Sequence, residues 1–322
     1  MATTLRYLGV GIEDEFGVAV PAEQHVDIAS TSLDSPSEPV INYDGGMGRN
    51  RRIVRPGAYV SEGGAEFPVD VETIGYFLYL TLGKYVNEQD VDTNEEVHTF
   101  NPSDDVHLPS ATFRAGKDKF EHVFPGCVIS QMEISVSDGL AMVNITVVGG
   151  KDAKDPLKDK NELILSETFP IAFHEVNVML NNDPEKTSQV ESLTITVNNN
   201  ADAEAGIALG SRFPKRIFAG NIDIDVSMDV AFDSMDEKEV FWGGQDGPSE
   251  GEITSIPMEV TMTSGDAGSL TILMPRVVYN SVQIQPSGRD RIVQSVDASA
   301  YFDDTSETEM SVELRNNVTY NF

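Results

Sequence analysis

The side chains best suited to catalysis are sparse in this chain and do not fall into a catalytic pattern. The five histidines stand at scattered spacings: His25, His98, His107, His122 and His174. The sequence has no His-Glu-x-x-His motif, no P-loop and no Gly-x-Ser-x-Gly turn. Because acid–base and nucleophilic catalysis need a convergent set of groups, we predict that the protein is not an enzyme and uses no cofactor.

The only cysteine is Cys127, so an intramolecular disulfide and a zinc site built from several thiolates are excluded. Cys127 opens an alternating segment that ends at Ser130. We therefore predict a small buried side chain in a β-strand and not a nucleophile.

Carboxylates are the most abundant reactive groups. Asp223 and Asp225 share one face of a predicted strand, and Asp233, Asp236 and Glu237 crowd one loop. The spacing Asp152-x-x-Asp155 lacks the glycine and the distal glutamate of a calcium loop. We interpret all of these groups as solvated surface carboxylates and predict no metal site.

The whole chain is strongly acidic. Its 322 residues include 53 Asp and Glu against 22 Lys and Arg, a formal net charge of -31. Self-repulsion of this size opposes compaction and assembly in dilute buffer, but the Debye length falls from about 8 Å at physiological salt to about 3 Å at 1 M. We therefore expect a halophilic environment, and a chain that does not bind a nucleic acid backbone tightly.

Most segments alternate between apolar and polar residues with a period of two, which is typical of half-buried strands. The clearest are Val26–Leu33, Val128–Val136, Met142–Val148, Glu191–Val197, Ile222–Val230, Ser269–Met274 and Met310–Leu314. These segments predict an all-β fold.

One or two short helices interrupt the strands. Apolar residues recur at helical spacing over Asp70–Leu82, and Gly83 follows as a stop signal. A weaker pattern covers Ser234–Trp242 before Gly243. Ser137–Gly139 and Ser287–Gly288 have the composition of tight hairpin turns.

The two halves of the chain show a loose internal repeat. Asp27–Leu33 matches Glu191–Val197, and in each half a basic cluster, a glycine, a strand and a candidate helix follow in the same order. The polar stretch at residues 149–162 lies near the midpoint. We therefore predict two tandem β domains, at residues 1–155 and 156–322, joined by this linker.

Several segments resemble, in the same order, the major tail tube proteins of long-tailed phages and archaeal viruses. They are Gly57–Val69, Thr73–Gly83, His98–Phe100, Leu108–Phe113, Gly126–Ile134, Val148–Gly150 and Phe213–Gly220. The resemblance covers Tyr7 to about Phe232, and with the acidity it points to a virus of haloarchaea.

The resemblance implies a tail-tube-type β-sandwich or barrel whose copies join into stacked rings around a lumen for genome ejection. Three two-domain chains, or else six chains, would form each ring. The implied partners are the tape measure, tail terminator and baseplate proteins, with DNA only in passage and no membrane. The implied location is the virion tail, assembled in the host cytoplasm, and an acidic lumen would repel DNA phosphates.

The basic clusters are the candidate interface residues. They comprise Arg49, Arg51, Arg52 and Arg55 in the first half and Arg212, Lys215 and Arg216 in the second. We expect them to pair with carboxylates of this acidic protein, across subunits for the first cluster, in preference to binding DNA. Contacts between rings are expected at Met1–Pro21, Asp34–Arg52 and Gly149–Glu162.

Two other interpretations stay open from the sequence. Another β-rich virion component, such as a baseplate or decoration protein, would share this composition. A carbohydrate-binding β-sandwich module would need an exposed aromatic platform, yet Trp242 is the only tryptophan.

Overall fold

The computed structural model describes residues 5–36, 40–43, 53–90, 95–184, 186, 189–251, 253–284 and 291–322. Strands in the first half are β1 (Leu8–Ile12), β2 (Gln24–Val26), β3 (Ser30–Thr31), β4 (Val40–Tyr43), β5 (Ile53–Pro56), β6 (Ser61–Pro68), β7 (Gly83–Gln89), β8 (Glu96–Pro102), β9 (Ala111–Gly116), β10 (Glu121–Val136), β11 (Met142–Gly149) and β12 (Ala153–Asp155). Those in the second half are β13 (Val176–Leu180), β14 (Val190–Asn198), β15 (Asp223–Ala231), β16 (Ser255–Thr263), β17 (Ser269–Ile284), β18 (Val293–Ala300) and β19 (Ser311–Asn316). The all-β fold is confirmed.

Two α-helices occur among the described residues, at the two predicted places. Helix α1 (Ile74–Leu82) ends at Gly83, whose φ of 83° is left-handed and suits a residue without a side chain. Its predicted start at Asp70 is wrong by four residues, because the Asp70 carboxylate accepts the Glu72 N–H at 2.8 Å and forms a turn before the helix. Helix α2 (Asp236–Trp242) ends at Gly243 in the same way. Neither helix is long and apolar enough to span a membrane.

One layer of the fold is a sheet of eight antiparallel strand segments, in the order β3-β6-β11-β10-β14-β15-β18-β17. β10 is the central link, since its residues Gln131–Val136 pair with β14 and so connect the two halves of the chain. The predicted strand Val26–Leu33 is split between β2 and β3.

The second layer has two parts. The first half supplies the order β2-β1-β9-β10-β12, and the second half supplies β13-β16-β17-β19, extended by β8 and β7. The strands β10 and β17, each 16 residues long, pass from one layer into the other. Helix α1 packs between the layers, where Phe77 contacts Phe67 with ring centroids 4.5 Å apart.

The same pairing scheme occurs twice along the chain. Seven strands of the first half correspond in chain order to seven strands of the second. The first-half pairs are β1–β9, β3–β6, β6–β11, β9–β10, β10–β11 and β10–β12. The corresponding second-half pairs are β13–β16, β14–β15, β15–β18, β16–β17, β17–β18 and β17–β19. Each half also places its helix between the third and fourth of these strands. The hairpin β7–β8 is an addition that the second half lacks in its described residues.

Candidate functional site: an acidic sheet face

The outward face of the eight-stranded sheet is polar and carries charge of one sign. In β15 the even-numbered side chains from Ile224 to Val230 are buried, while Asp223, Asp225 and Ser227 on the other face are exposed. This alternation follows from the pleat, which sends successive side chains to opposite faces. The buried side chains pack into the core and so fix the direction of the polar ones.

No lysine or arginine occurs in the eight strand segments that form this face, namely β3, β6, residues 129–136 of β10, β11, β14, β15, residues 277–284 of β17, and β18. The same segments contain eight carboxylates: Glu62, Glu66, Glu133, Glu191, Asp223, Asp225, Asp229 and Asp297. One of these carboxylates, Glu191, pairs at 2.6 Å with Arg291, which lies just before β18. The face is therefore an anionic surface.

The register of the strands places carboxylates in a row across the sheet. Across the strands, the row reads Glu66, Asn144, Glu133, Thr196 and Asp225. Each residue in this row lies directly opposite the next one on the neighbouring strand. Because like charges placed directly opposite each other are destabilising, the neutral residues between them permit this density of charge.

Serine hydroxyls hold the aspartates in place. Ser295 donates to Asp229 at 2.8 Å, and Ser299 donates to Asp225 at 2.6 Å. Asp297 accepts from two neighbours, Ser227 at 3.1 Å and Ser281 at 2.8 Å. Hydrogen bonds to carboxylate acceptors are stronger than those between neutral groups, so these hydroxyls fix the orientation of the carboxylates.

The predicted interface residues that the structure describes lie outside the strand segments of this face. Three of the seven are outside the described residues: Arg49, Arg51 and Arg52. Arg55 is exposed on β5, and Lys215 and Arg216 are exposed in the loop before β15. The guanidinium of Arg216 lies 4.7 Å from the ring centre of Phe218.

Arg212 brings the two basic segments together within one chain. Its Nε donates to the Gly57 carbonyl at 3.2 Å, and its guanidinium lies 5.1 Å from the ring centre of Tyr59. The Tyr59 N–H in turn donates to the Arg212 carbonyl at 2.7 Å. Arg212 therefore anchors the chain that leads away from β5.

His25, His98 and Cys127 are buried in the core. Burial, together with the charge of Lys158, lowers the pKa of His25 to about 4. Burial also lowers the pKa of His98, which is hydrogen-bonded to Tyr85 and Asn316. Cys127 is buried in β10, as predicted. Within the described ranges no group of three or more His, Cys, Asp or Glu side chains is placed to hold a metal ion.

The prediction of solvated carboxylates is wrong for Glu237. Its side chain is 3% exposed, accepts the Tyr279 hydroxyl at 2.6 Å and lies 3.0 Å from the Lys186 ammonium. A buried carboxylate needs such partners, because an unpaired buried charge is very costly. The acidic cluster at α2 is thus partly a core ion pair.

The local sequence pattern indicated that Asp223 and Asp225 share a strand face, but it gave no sign that Glu66, Glu133 and Asp297 lie on the same face. A usable signal was present, since every one of these strands lacks lysine and arginine at its polar positions. That these residues share one face depends on the register between strands that are distant in the sequence.

Fold and face together define a class: a two-layered β protein that presents a broad anionic sheet surface. The chain belongs to the phage tail tube protein family, because the family's model matches residues 3–300. No curated protein matches the sequence.

Proposed function

We propose that this protein is the major tail tube subunit of a tailed virus, and that the anionic sheet face lines the lumen through which the genome is ejected. The observation that supports this is the eight-carboxylate face with no lysine or arginine in its strands. A surface that binds DNA needs clustered cations, whereas a surface of fixed carboxylates repels phosphates at every point.

The width of the sheet fits a conduit made of three copies. Eight strands about 4.8 Å apart span about 38 Å, so three copies give a circumference of about 115 Å and a diameter of about 37 Å. Packed sheets lie about 10 Å apart, so side chains project by about half of this distance. Subtracting this projection on both sides leaves a clear diameter of about 27 Å. This is enough for a DNA duplex, whereas a single copy closed on itself would be filled by side chains.

The repeated pairing scheme supports two tandem domains, with the boundary near residues 155 and 156. If each domain occupies an equivalent place, three chains supply six positions in a ring. The proposed linker at residues 149–162 includes the end of β11 and the short strand β12.

Stacking of rings is assigned to the hairpin arm, defined as β4 and β5. Among the described residues these strands pair only with each other. The arm presents Val40, Ile41 and Val54, which are 49%, 60% and 60% exposed, as well as Arg55. Apolar side chains with this exposure fit a contact with a neighbouring ring, and Arg55 fits a carboxylate on it.

The wider setting follows from the family and the charge. The tube would meet a tape measure protein in its lumen and terminator and baseplate proteins at its ends. Its assembly in the cytoplasm of a halophilic host, an archaeon in particular, agrees with a net charge of -31 that only high salt can screen.

Electron microscopy of the purified chain in molar salt tests the proposal. We expect rings or tubes with an open centre. A chain that stays monomeric under these conditions, at any concentration that the preparation allows, would overturn the proposed function.

A further inference from the structure

The stretch of chain that leads into the hairpin arm is tied to the body of the protein at residues 33–36. It follows β3, and the first strand of the arm begins at Val40. Within it Leu33 is buried, whereas Asp34 and Ser35 are exposed. The side chains that hold this stretch come from two other segments, and both of them contact one histidine, His122.

His122 lies in β10, and its side chain is buried. Its ring packs against the ring of Phe124, with centroids 4.2 Å apart. The two ring nitrogens contact polar groups of different segments. Nε2 lies 2.8 Å from a carboxylate oxygen of Asp152, which follows β11, and Nδ1 lies 3.2 Å from the ammonium of Lys117, in the turn between β9 and β10.

These two partners fix which nitrogen of His122 carries a proton. A carboxylate can only accept a hydrogen bond, and an ammonium can only donate one. Nε2–H of His122 therefore donates to Asp152, and Nδ1 accepts from Lys117. This arrangement requires the neutral form of the ring, because the protonated form has no acceptor nitrogen.

Lys117 connects His122 to the stretch before the arm. Its ammonium also donates to the Leu33 carbonyl at 2.6 Å and lies 3.3 Å from Oδ1 of Asp34. An ammonium has three N–H groups, so these three contacts use all of its donors. The same oxygen of Asp34 lies 3.7 Å from Nδ1 of His122.

Asp152 makes a second connection to the same stretch. Its carboxylate accepts from the hydroxyl of Ser35, and from the hydroxyl of Tyr59 at 2.7 Å. Burial acts to raise the pKa of Asp152, but the hydrogen bonds from Ser35, Tyr59 and His122 outweigh it, so this pKa is lowered. The hydrogen bond from the Ser35 N–H also lowers the pKa of Asp34. Both carboxylates therefore stay ionised at a pH where a histidine takes up a proton.

We propose that His122 is a pH-sensitive lock on residues 33–36, which opens when Nδ1 of its ring takes up a proton. The protonated nitrogen can no longer accept from Lys117, and two cations then face each other across a distance of 3.2 Å. Lys117 moves away and gives up the Leu33 carbonyl, while Asp34 becomes the acceptor for Nδ1–H. This inference goes beyond the proposed function and does not depend on it.

The surroundings of the ring permit this exchange of partners. The charged side chains that contact or directly face the ring in the described chain are Lys117, Lys154, Asp34 and Asp152. Lys154 is opposite His122 in the pairing of β10 with β12, and it is exposed to solvent. Because Asp152 already accepts from Nε2–H, Asp34 is the carboxylate within reach of the new proton.

The lock acts on one of the two ends of the hairpin arm. The other end is held by Arg212, which donates to the Gly57 carbonyl at 3.2 Å and has no contact with His122 among those described. Acid therefore releases the end at residues 33–36 and leaves the end at Gly57 in place. If the arm joins rings as proposed, acid should weaken that contact without unfolding the subunit.

Hydrogen exchange of the full chain, measured by mass spectrometry in molar salt, tests the lock. The readout is the protection of the amides in residues 32–35, where the Ser32 N–H donates to the Gly64 carbonyl and the Ser35 N–H donates to Asp34. Protection is expressed relative to the unfolded chain at the same pH, and β11 serves as the internal reference. We expect it to fall at least about tenfold between about pH 8 and about pH 5, the range over which histidines change charge.

Three variants show which group is responsible. His122→Gln can still donate to Asp152 but takes up no proton in this range, so its protection at residues 32–35 should not change with pH. Lys117→Met lacks the ammonium that holds Leu33, and it should show low protection at both ends of the range. His174→Gln, a matched change at an exposed histidine, should respond to pH as the unmodified chain does.

Each result decides one point. Constant protection of residues 32–35 in the unmodified chain would overturn the lock, and this comparison needs no variant. A fall that persists in His122→Gln would overturn the assignment to His122. An equal fall in β11 would show that acid acts on the whole fold, and it would overturn the local release of residues 33–36. None of these results bears on whether the chain forms tubes, which electron microscopy decides separately.

Discussion

If the sheet face lines the lumen as proposed, reversing the charge of one row on this face should make the tube bind DNA. The variant carries Glu66→Lys, Glu133→Lys and Asp225→Lys, which lie in one row of the strand register. Each substitution changes the charge by +2, so the row changes by +6 in each chain. In a ring of three, nine carboxylates at one height become nine ammonium groups.

The size of the effect follows from counterion release. If three to nine of these lysines contact phosphates, log K should fall with log salt at a slope of about −3 to −8, since each contact contributes about −0.9. Removing the carboxylates also removes the acceptors of Ser30 and Ser299, at about 1 kcal/mol per hydrogen bond. The fold should tolerate this loss.

The assay measures duplex DNA binding by tubes that are chemically cross-linked in molar salt and then moved to lower salt. A matched control places the same three reversals on exposed carboxylates elsewhere, as Glu15→Lys, Asp138→Lys and Glu250→Lys. We expect no binding by the unmodified tube and steep, salt-dependent binding by the row variant. Equal binding by row variant and control would refute the assignment of this face to the lumen.

Three further outcomes are expected. Tyr279→Phe removes a hydroxyl donor from buried Glu237 and should lower the free energy of unfolding by about 1–3 kcal/mol in denaturant titration. Because the pKa of His25 is lowered in the folded state, the unfolded state takes up a proton on His25 at a higher pH than the folded state does. The free energy of unfolding should therefore fall as the pH drops from about 6.5 to about 4, by up to about 3 kcal/mol for this fully buried group. Ile41→Asp with Val54→Asp on the hairpin arm should leave rings intact and shorten or abolish tubes in electron micrographs.

Controls distinguish these effects from general damage. Tyr301→Phe alters a hydroxyl on a residue that is 47% exposed and should leave stability unchanged. His25→Gln should flatten the pH dependence between pH 4 and 6.5, and an unchanged slope would contradict the assignment to His25. Val18→Asp, at a position 51% exposed outside the arm, should leave tube length unchanged. Shortened tubes in this control would remove the special role of the arm.

The strands and helix ends could be predicted because their signals are local. Period-two alternation marks β14 and β15 within their own residues, and Gly83 stops α1 through its own backbone freedom. The full length of β10 could not be predicted, since Pro125 and Gly126 look like a break. The strand continues there with an irregularity in its pairing, and the buried Glu13 carboxylate accepts the Gly126 N–H at 2.8 Å.

Only part of the candidate site could be predicted from the sequence, because its carboxylates come from strands that are distant in the sequence. The spacing of Asp223 and Asp225 indicates an exposed strand face from the local sequence alone. That Glu133 lies in the same row is decided by the β10–β14 pairing, in which it faces Thr196, 63 positions further along the chain. The same limit hid Glu237, whose burial depends on Tyr279 and Lys186 from distant segments.

The acidity of the chain bears on whether copies of it can approach one another. A chain with net charge -31 repels its copies, and that repulsion acts over about 8 Å at physiological salt but over only about 3 Å at 1 M. Of its 22 cationic side chains, Lys117 and Lys238 donate to main-chain carbonyls of the same chain, those of Leu33 and Val282. Screening therefore weakens the repulsion between copies, and it also weakens ion pairs within one chain, such as that of Lys117 with Asp34 at 3.3 Å. If copies assemble as proposed, high salt is therefore expected to favour assembly as well as solubility.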